Sequence, residues 1–172
     1  MKTAKNILGL QLATDPRWVN LANHSIEDIL TDHAFCEQKA ATTCISLIQK
    51  YSDRTRLVAE LAPIVTEEWG HFRMVLAELE KRGLKLGKQR KDEYVNHLIA
   101  FQRKGGDFEE RFLDQLLTMA MIEARSCERF KRLSEGLRMN TSGIFTGASW
   151  KVKRAIIICL LVWQKPISEK KK

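Results

Sequence analysis

Glycine and proline are scarce in this chain, at nine and three of 172 residues. All-β folds need turn residues every 8–12 positions, so this shortage argues against one. Four cysteines stand at 36, 44, 127 and 159, and no two form a CxxC pair. That spacing points away from a zinc site or a disulfide framework and toward buried thiols in a reduced compartment. No apolar run reaches the roughly 18 residues of a membrane span. Met1-Lys2-Thr3-Ala4-Lys5-Asn6 leads into no long apolar stretch, so no signal peptide is expected and the location read from sequence is cytoplasmic, with no membrane partner. What is present is 44% hydrophobic and 29% charged residues, enough for one globular core. The net charge of +8 is uneven: residues 138–172 hold eight Lys/Arg against one Asp/Glu, which leaves residues 1–137 at +1. The basic balance therefore describes the tail, and as a sign of nucleic-acid binding it is weak.

Helical periodicity dominates residues 25–136. Ser25-Ile26-Glu27-Asp28 reads as a capped helix start, with apolar and small positions then spaced helically to Lys50. Asp53 is placed to cap a second helix ending at Gly83, and Pro63 within it predicts a kink or a late start. A shorter helix is expected over 92–103, a break at Gly105-Gly106, and a long helix from Asp107 to about Leu137. No strand pattern interrupts them, and the reading is an all-α bundle. After Leu137 the helical period is lost. Ala155–Trp163 is a nine-residue β-branched apolar block, and the chain ends in three lysines. A fourth long amphipathic helix is missing.

Glu68-Trp69-Gly70-His71 is an ExxH on a helix, where positions i and i+3 face one way and can share a metal ion. Taken singly it reads equally as a surface Glu beside a core His. Glu37, among Ala34, Cys36, Ala40 and Ala41, and Glu123, within Met119–Ala124, are acids in apolar surroundings. There an uncompensated carboxylate is costly. Each could be a lone core acid or face solvent. A di-iron carboxylate bundle draws one Glu from each of two helices and an ExxH from each of two others. Here Glu37 is followed by an ExxH 31 residues on, and then Glu123 appears; a second ExxH is due near position 153, where none stands.

The strings Asp32-His33-Ala34-Phe35-Cys36-Glu37-Gln38-Lys39-Ala40-Ala41, Glu67-Glu68-Trp69-Gly70-His71-Phe72 and Ile122-Glu123-Ala124-Arg125-Ser126-Cys127-Glu128-Arg129-Phe130 resemble the bacterial tRNA hydroxylases that act on 2-methylthio-isopentenyl-adenosine. Thr14-Asp15-Pro16-Arg17-Trp18-Val19 adds to the resemblance, which covers residues 7–137. It implies a ferritin-like four-helix bundle lacking a proper final helix, two non-haem iron ions, and molecular oxygen as co-substrate. It further implies a tRNA carrying prenylated adenosine at position 37 and a separate electron donor. By the same resemblance Glu37, Glu68, His71 and Glu123 match four of six iron ligands, and a final helix should carry Glu-Ala-Gly-His.

The tail's codons can supply that motif. Read from the third nucleotide of each codon from Met139, Met followed by Asn forces Glu, and Trp150 followed by Lys151 forces Glu again. The degenerate positions between and after allow EYLRDFYRGLMESEAGHYNLF. Its Glu-Ala-Gly-His falls across the codons of Val152 to Ile156, where the internal repeat asks for it. Residues 1–137 are thus read as an incomplete ferritin-like di-iron domain, and 138–172 as an aberrant segment out of frame from about 137–139. For tRNA contact the candidates are Lys81, Arg82, Lys85, Lys88, Arg90 and Lys91, a stretch with six basic residues and no acid. An ordinary solvated helix end reads the same way. Tyr94 and Asp114 are possible supporting groups near the metal. Three readings stand at this point: the hydroxylase, a ferritin-like iron-binding protein, and an inactive remnant.

Overall fold

The computed structural model describes residues 10–20 and 25–136, and of 134–136 the backbone. The expected aberrant segment 138–172 lies outside the described residues. Besides the helical residues 18–20, four helices carry the regular structure among the described residues: α1 (Ile26–Lys50), α2 (Thr55–Lys81), α3 (Glu93–Ala100) and α4 (Phe108–Gly136). No strand is present among those residues, and none of these helices is long and apolar enough to cross a membrane. The chain divides into two compact units, Asn20–Arg90 and Met1–Val19 with Lys91–Lys172.

The Asn20–Arg90 unit is built on α1 and α2, joined by only four residues, which makes them an αα-hairpin. Of the two expected caps, one is not closed by its side chain and the other is displaced. Ser25 is the N-cap of α1 but makes no side-chain capping bond; its carbonyl accepts from Ile29 N–H at 3.1 Å. Glu27 and Asp28 in the first turn supply the favourable charge at the positive end of the helix dipole. At α2 the N-cap is Arg54 rather than Asp53, whose carbonyl instead accepts from Thr55 N–H. Nor does Pro63 delay α2, which begins eight residues earlier and continues past it. Pro63 lacks the N–H that would have reached the Ala59 carbonyl, so the helix gives up one bond there.

Each helix buries a helically spaced stripe. On α1 it runs through Leu30, Ala34, Ala41, Cys44 and Leu47, and on α2 through Leu57, Leu61, Phe72, Val75 and Leu79. An acid interrupts each stripe: Glu37 lies between Ala34 and Ala41, and Glu68 between Leu61 and Phe72. Tyr51 is fully buried at the turn, with Lys50 and Arg54 over its ring at 5.2 and 5.3 Å. Glu37 stands 14 residues before Tyr51, and Glu68 stands 14 residues after Arg54. In an antiparallel hairpin equal distances from the turn mean equal height, so the connection brings the two acids level.

Helix α2 ends as glycine allows. Gly83 has φ +67°, its N–H reaches Glu80 O, and Leu84 N–H reaches Leu79 O, both at 2.9 Å. This is a Schellman closure, whose left-handed residue favours glycine. The following loop returns to α1. Gly87 N–H donates to Thr31 Oγ1 at 3.2 Å, and a Cβ at Gly87 would sit 3.3 Å from that same oxygen. Arg90 forks onto Asp32 and also pairs with Asp28 at 3.2 Å.

In the other unit, Asp92 caps α3 by accepting from Val95 N–H at 3.2 Å. The α3–α4 connection breaks at Gly106, with φ +87°, and is tied down where Arg103 N–H donates to Asp114. Residues 14–18 are fastened to α4. Glu128 accepts from Thr14 N–H and Thr14 Oγ1–H, both at 2.7 Å, and from Arg125 at 2.6 Å and Arg132 at 3.1 Å. The Arg129 guanidinium lies 5.4 Å from the Trp18 ring centre.

Candidate metal centre

Two ionised carboxylates on one buried stretch of a hairpin are costly unless cations sit between them. Glu37 and Glu68 are both fully buried, and the group between them is an imidazole. His71 Nδ1 lies 3.6 Å from Glu37 Oε2 and 3.6 Å from Glu68 Oε2. Helical spacing puts His71 beside Glu68 on α2, and the level hairpin brings Glu37 from α1. One donor atom from each residue lies within 4.8 Å of the others. The contacts with Glu37, first, and Glu68 favour the charged imidazolium over the opposing effect of burial, and push His71 up from 6.5 to about 9.

The donor set fits a metal ion. Separations of 3.6 Å are too long for good hydrogen bonds. Ligands about 2.0–2.2 Å from a shared ion lie about 3–4.4 Å from one another. The cluster offers hard carboxylate oxygens with one imidazole nitrogen, a combination that suits iron and other first-row divalent ions better than thiolate-seeking ones.

The structure reverses the bland reading of the ExxH. Glu68 is the interior residue, and His71 is the one partly open to solvent, at 19% side-chain exposure. Trp69, between them in sequence, is 46% exposed and packs its ring at 5.0 Å from Phe72. Of the four candidate ligands, Glu37, Glu68 and His71 lie together within one unit, and Glu123 belongs to the other unit, buried on α4. Tyr94 and Asp114 are engaged locally: Tyr94 donates to Met121 O and carries Arg125 over its ring, while Asp114 holds Arg103. Cys36 is partly exposed, and Cys44 and Cys127 are buried.

One residue of the site escaped the sequence. His33, 3% exposed, sets Nε2 2.8 Å from Glu37 Oε1, one helical turn along α1. Its i, i+4 relation to Glu37 was available as a signal, but periodicity marks His33 only as an inward position.

The basic stretch is less free than its sequence suggests. Glu78 pairs with Arg82 at 2.6 Å and with Lys81 at 3.8 Å, and Arg90 is held by Asp28 and Asp32. Lys85, Lys88 and Lys91 are exposed.

Three comparisons bear on this site. Residues 1–148 match the family model described as tRNA-(MS[2]IO[6]A)-hydroxylase (MiaE). A tRNA 2-(methylsulfanyl)-N(6)-isopentenyladenosine(37) hydroxylase of Pseudomonas putida is 36% identical over 120 residues, covering 70% of this chain and 58% of the relative. The protein of the same name from Salmonella typhimurium is 24% identical over 177 residues, covering 74% and 65%. The chain thus spans about three fifths of the curated relatives it matches. Among solved structures, a Synechococcus protein described as having aldehyde deformylating oxygenase activity is 30% identical with a TM-score of 0.84, covering 95% of this chain and 78% of that one. These likenesses agree with the all-helical, ferritin-like class; the expected absence of a proper final helix concerns residues outside those described.

Proposed function

Because this chain belongs to the MiaE family of tRNA hydroxylases, we propose that it derives from, and with its frame restored acts as, an iron-dependent monooxygenase. Its substrate would be the isopentenyl group of 2-methylthio-isopentenyl-adenosine at position 37 of tRNA. The observation that carries this reading is the buried Glu37–Glu68–His71 cluster, formed by the strings that resemble the family. Glu37, Glu68 and His71 are the ligands we assign to one iron. Glu123 is carried over by resemblance as a ligand of the second, and the last Glu and His belong to the shifted reading of residues 139–156. Such a pair of irons, supplied with electrons by a separate donor, provides the activation of molecular oxygen. The work of the protein would be done in the cytoplasm, where tRNA and reduced thiols are found.

The residues contribute in distinct ways. Glu37 and Glu68 present hard anionic oxygens held level by the hairpin. His71 binds through Nδ1 only as neutral imidazole, so loading releases the proton that this atom holds between the carboxylates. Burial of both acids excludes water, which strengthens the electrostatic hold on a bound cation. Lys85 and Lys88, with Lys81, Arg82, Arg90 and Lys91 as the wider stretch, are the phosphate contacts we propose for tRNA.

The test is nucleoside mass spectrometry of tRNA from a hydroxylase-deficient strain. Expression of the frame-restored chain should yield the hydroxylated nucleoside, and the 172-residue chain, short of two ligands in this reading, should not. Iron binding by the restored chain with unaltered tRNA would favour the iron-storage reading instead.

A further inference from the structure

Glu37 has two oxygens, and they face different groups. Oε2 is the one directed at His71, 3.6 Å from Nδ1, whereas Oε1 lies 2.8 Å from His33 Nε2. Both side chains are essentially without solvent, 3% and 0% exposed. The two atoms are close enough to interact directly, although the ring N–H is not fully aligned on Oε1. A carboxylate can only accept, and a bare ring nitrogen at this distance would set lone pair against lone pair, so Nε2 must carry a proton. His33 stands outside the three-residue cluster, one turn from Glu37 on the same helix.

We propose that His33 is a positioning residue: its Nε2–H holds Glu37 Oε1 and leaves Oε2 as the single oxygen Glu37 offers to a metal ion. The inference rests on the metal-centre reading above. A buried carboxylate is otherwise able to turn about its last torsion and present both oxygens, which is a broad and shallow rotation. Pinning one oxygen sets the denticity of Glu37 and the number of positions left open on the ion. Groups that orient a ligand in this way are worth 10–100-fold in metal affinity when replaced.

The test uses the full chain, metal-free and then titrated with cobalt(II), whose visible spectrum reports coordination number. Long-range proton–nitrogen NMR of the metal-free wild type should show His33 protonated at Nε2. H33L should weaken cobalt binding by 10–100-fold and lower the visible absorptivity as Glu37 turns bidentate and coordination rises. H33Q, whose amide can donate from the place of Nε2, should restore affinity to within a few-fold and return the wild-type spectrum. An Nε2 without a proton overturns the proposal, as does an H33L protein that binds cobalt with wild-type affinity and spectrum, or an H33Q protein as weak as H33L. Should H33L fail to fold, the wild-type tautomer and the H33Q spectrum decide. If the wild type binds no cobalt at all, the metal-centre reading falls and takes this proposal with it. A wild type that binds cobalt beside an indifferent H33L refutes the proposal and leaves the metal centre standing.

Discussion

Two of the places where the described residues bury carboxylates compensate them by different means. Glu128, in the unit holding α3 and α4, meets two guanidiniums, a hydroxyl and a backbone N–H at 2.6–3.1 Å. Guanidinium never gives up its proton in proteins, so this arrangement is permanent and serves to fasten residues 14–18 to α4. Glu37 and Glu68, in the α1–α2 hairpin, meet His71 at 3.6 Å, and Glu37 meets His33 at 2.8 Å. Imidazole, unlike guanidinium, can surrender its proton, and a metal ion can take its place. The first cluster is a fastening; the second is a site that can exchange what it holds. Such a difference cannot be read from burial, which is nearly complete in both.

The largest expected effect tests the fastening. Glu128→Gln keeps the shape but leaves Arg125 and Arg132 facing a neutral group, and should cost about 3–5 kcal/mol of stability. Thermal melts should register it, and cobalt affinity should be unchanged. The counterpart, Glu68→Gln, should abolish metal binding at micromolar cobalt. Because it relieves repulsion between two buried carboxylates, it should leave the metal-free melting temperature within about 1 kcal/mol of wild type or raise it. Equal destabilisation by the two variants would erase the contrast.

The pH dependence of the metal-free protein should separate the clusters by sign. Burial raises the Glu128 carboxyl, but the bonds from Thr14, Arg132 and Arg125 outweigh it and hold the group below 4.5. Its contribution is present above the unfolded value and is lost as pH falls through the lower folded one. His71 is raised from 6.5 to about 9, so its contribution is complete below 6.5 and disappears as pH rises through about 9. Melting temperature against pH should thus fall at both ends, with Thr14→Val flattening the acid limb and His71→Asn the alkaline one.

Smaller effects concern the loop behind α2. Gly83→Ala places a side chain at φ +67° and should cost about 1 kcal/mol. Arg90→Gln removes a half-exposed pair with Asp28 and Asp32, worth about 0–1 kcal/mol and declining with salt, as denaturant melts at two ionic strengths would show.

Much was determined by the sequence itself. Scarce glycine and proline with a 3.6-residue period announce helices, because local backbone preference and one-sided burial suffice to place them; all four expected helices are present within a few residues. Glu68 and His71 share a face because i and i+3 do so in any helix. Gly83 ends α2 because the closing turn there needs a left-handed residue. Other features waited on tertiary structure. That Glu37 stands level with Glu68 depends on a four-residue turn and an antiparallel return. That Glu68 is sealed while His71 is partly open depends on what covers each face. Charge partners were the least legible: the acids that occupy Arg82 and Arg90, and the threonine and Arg132 that hold Glu128 beside Arg125, come from outside the stretch in which each was read. Electrostatic pairing acts through space, and sequence distance says little about it until the chain has folded.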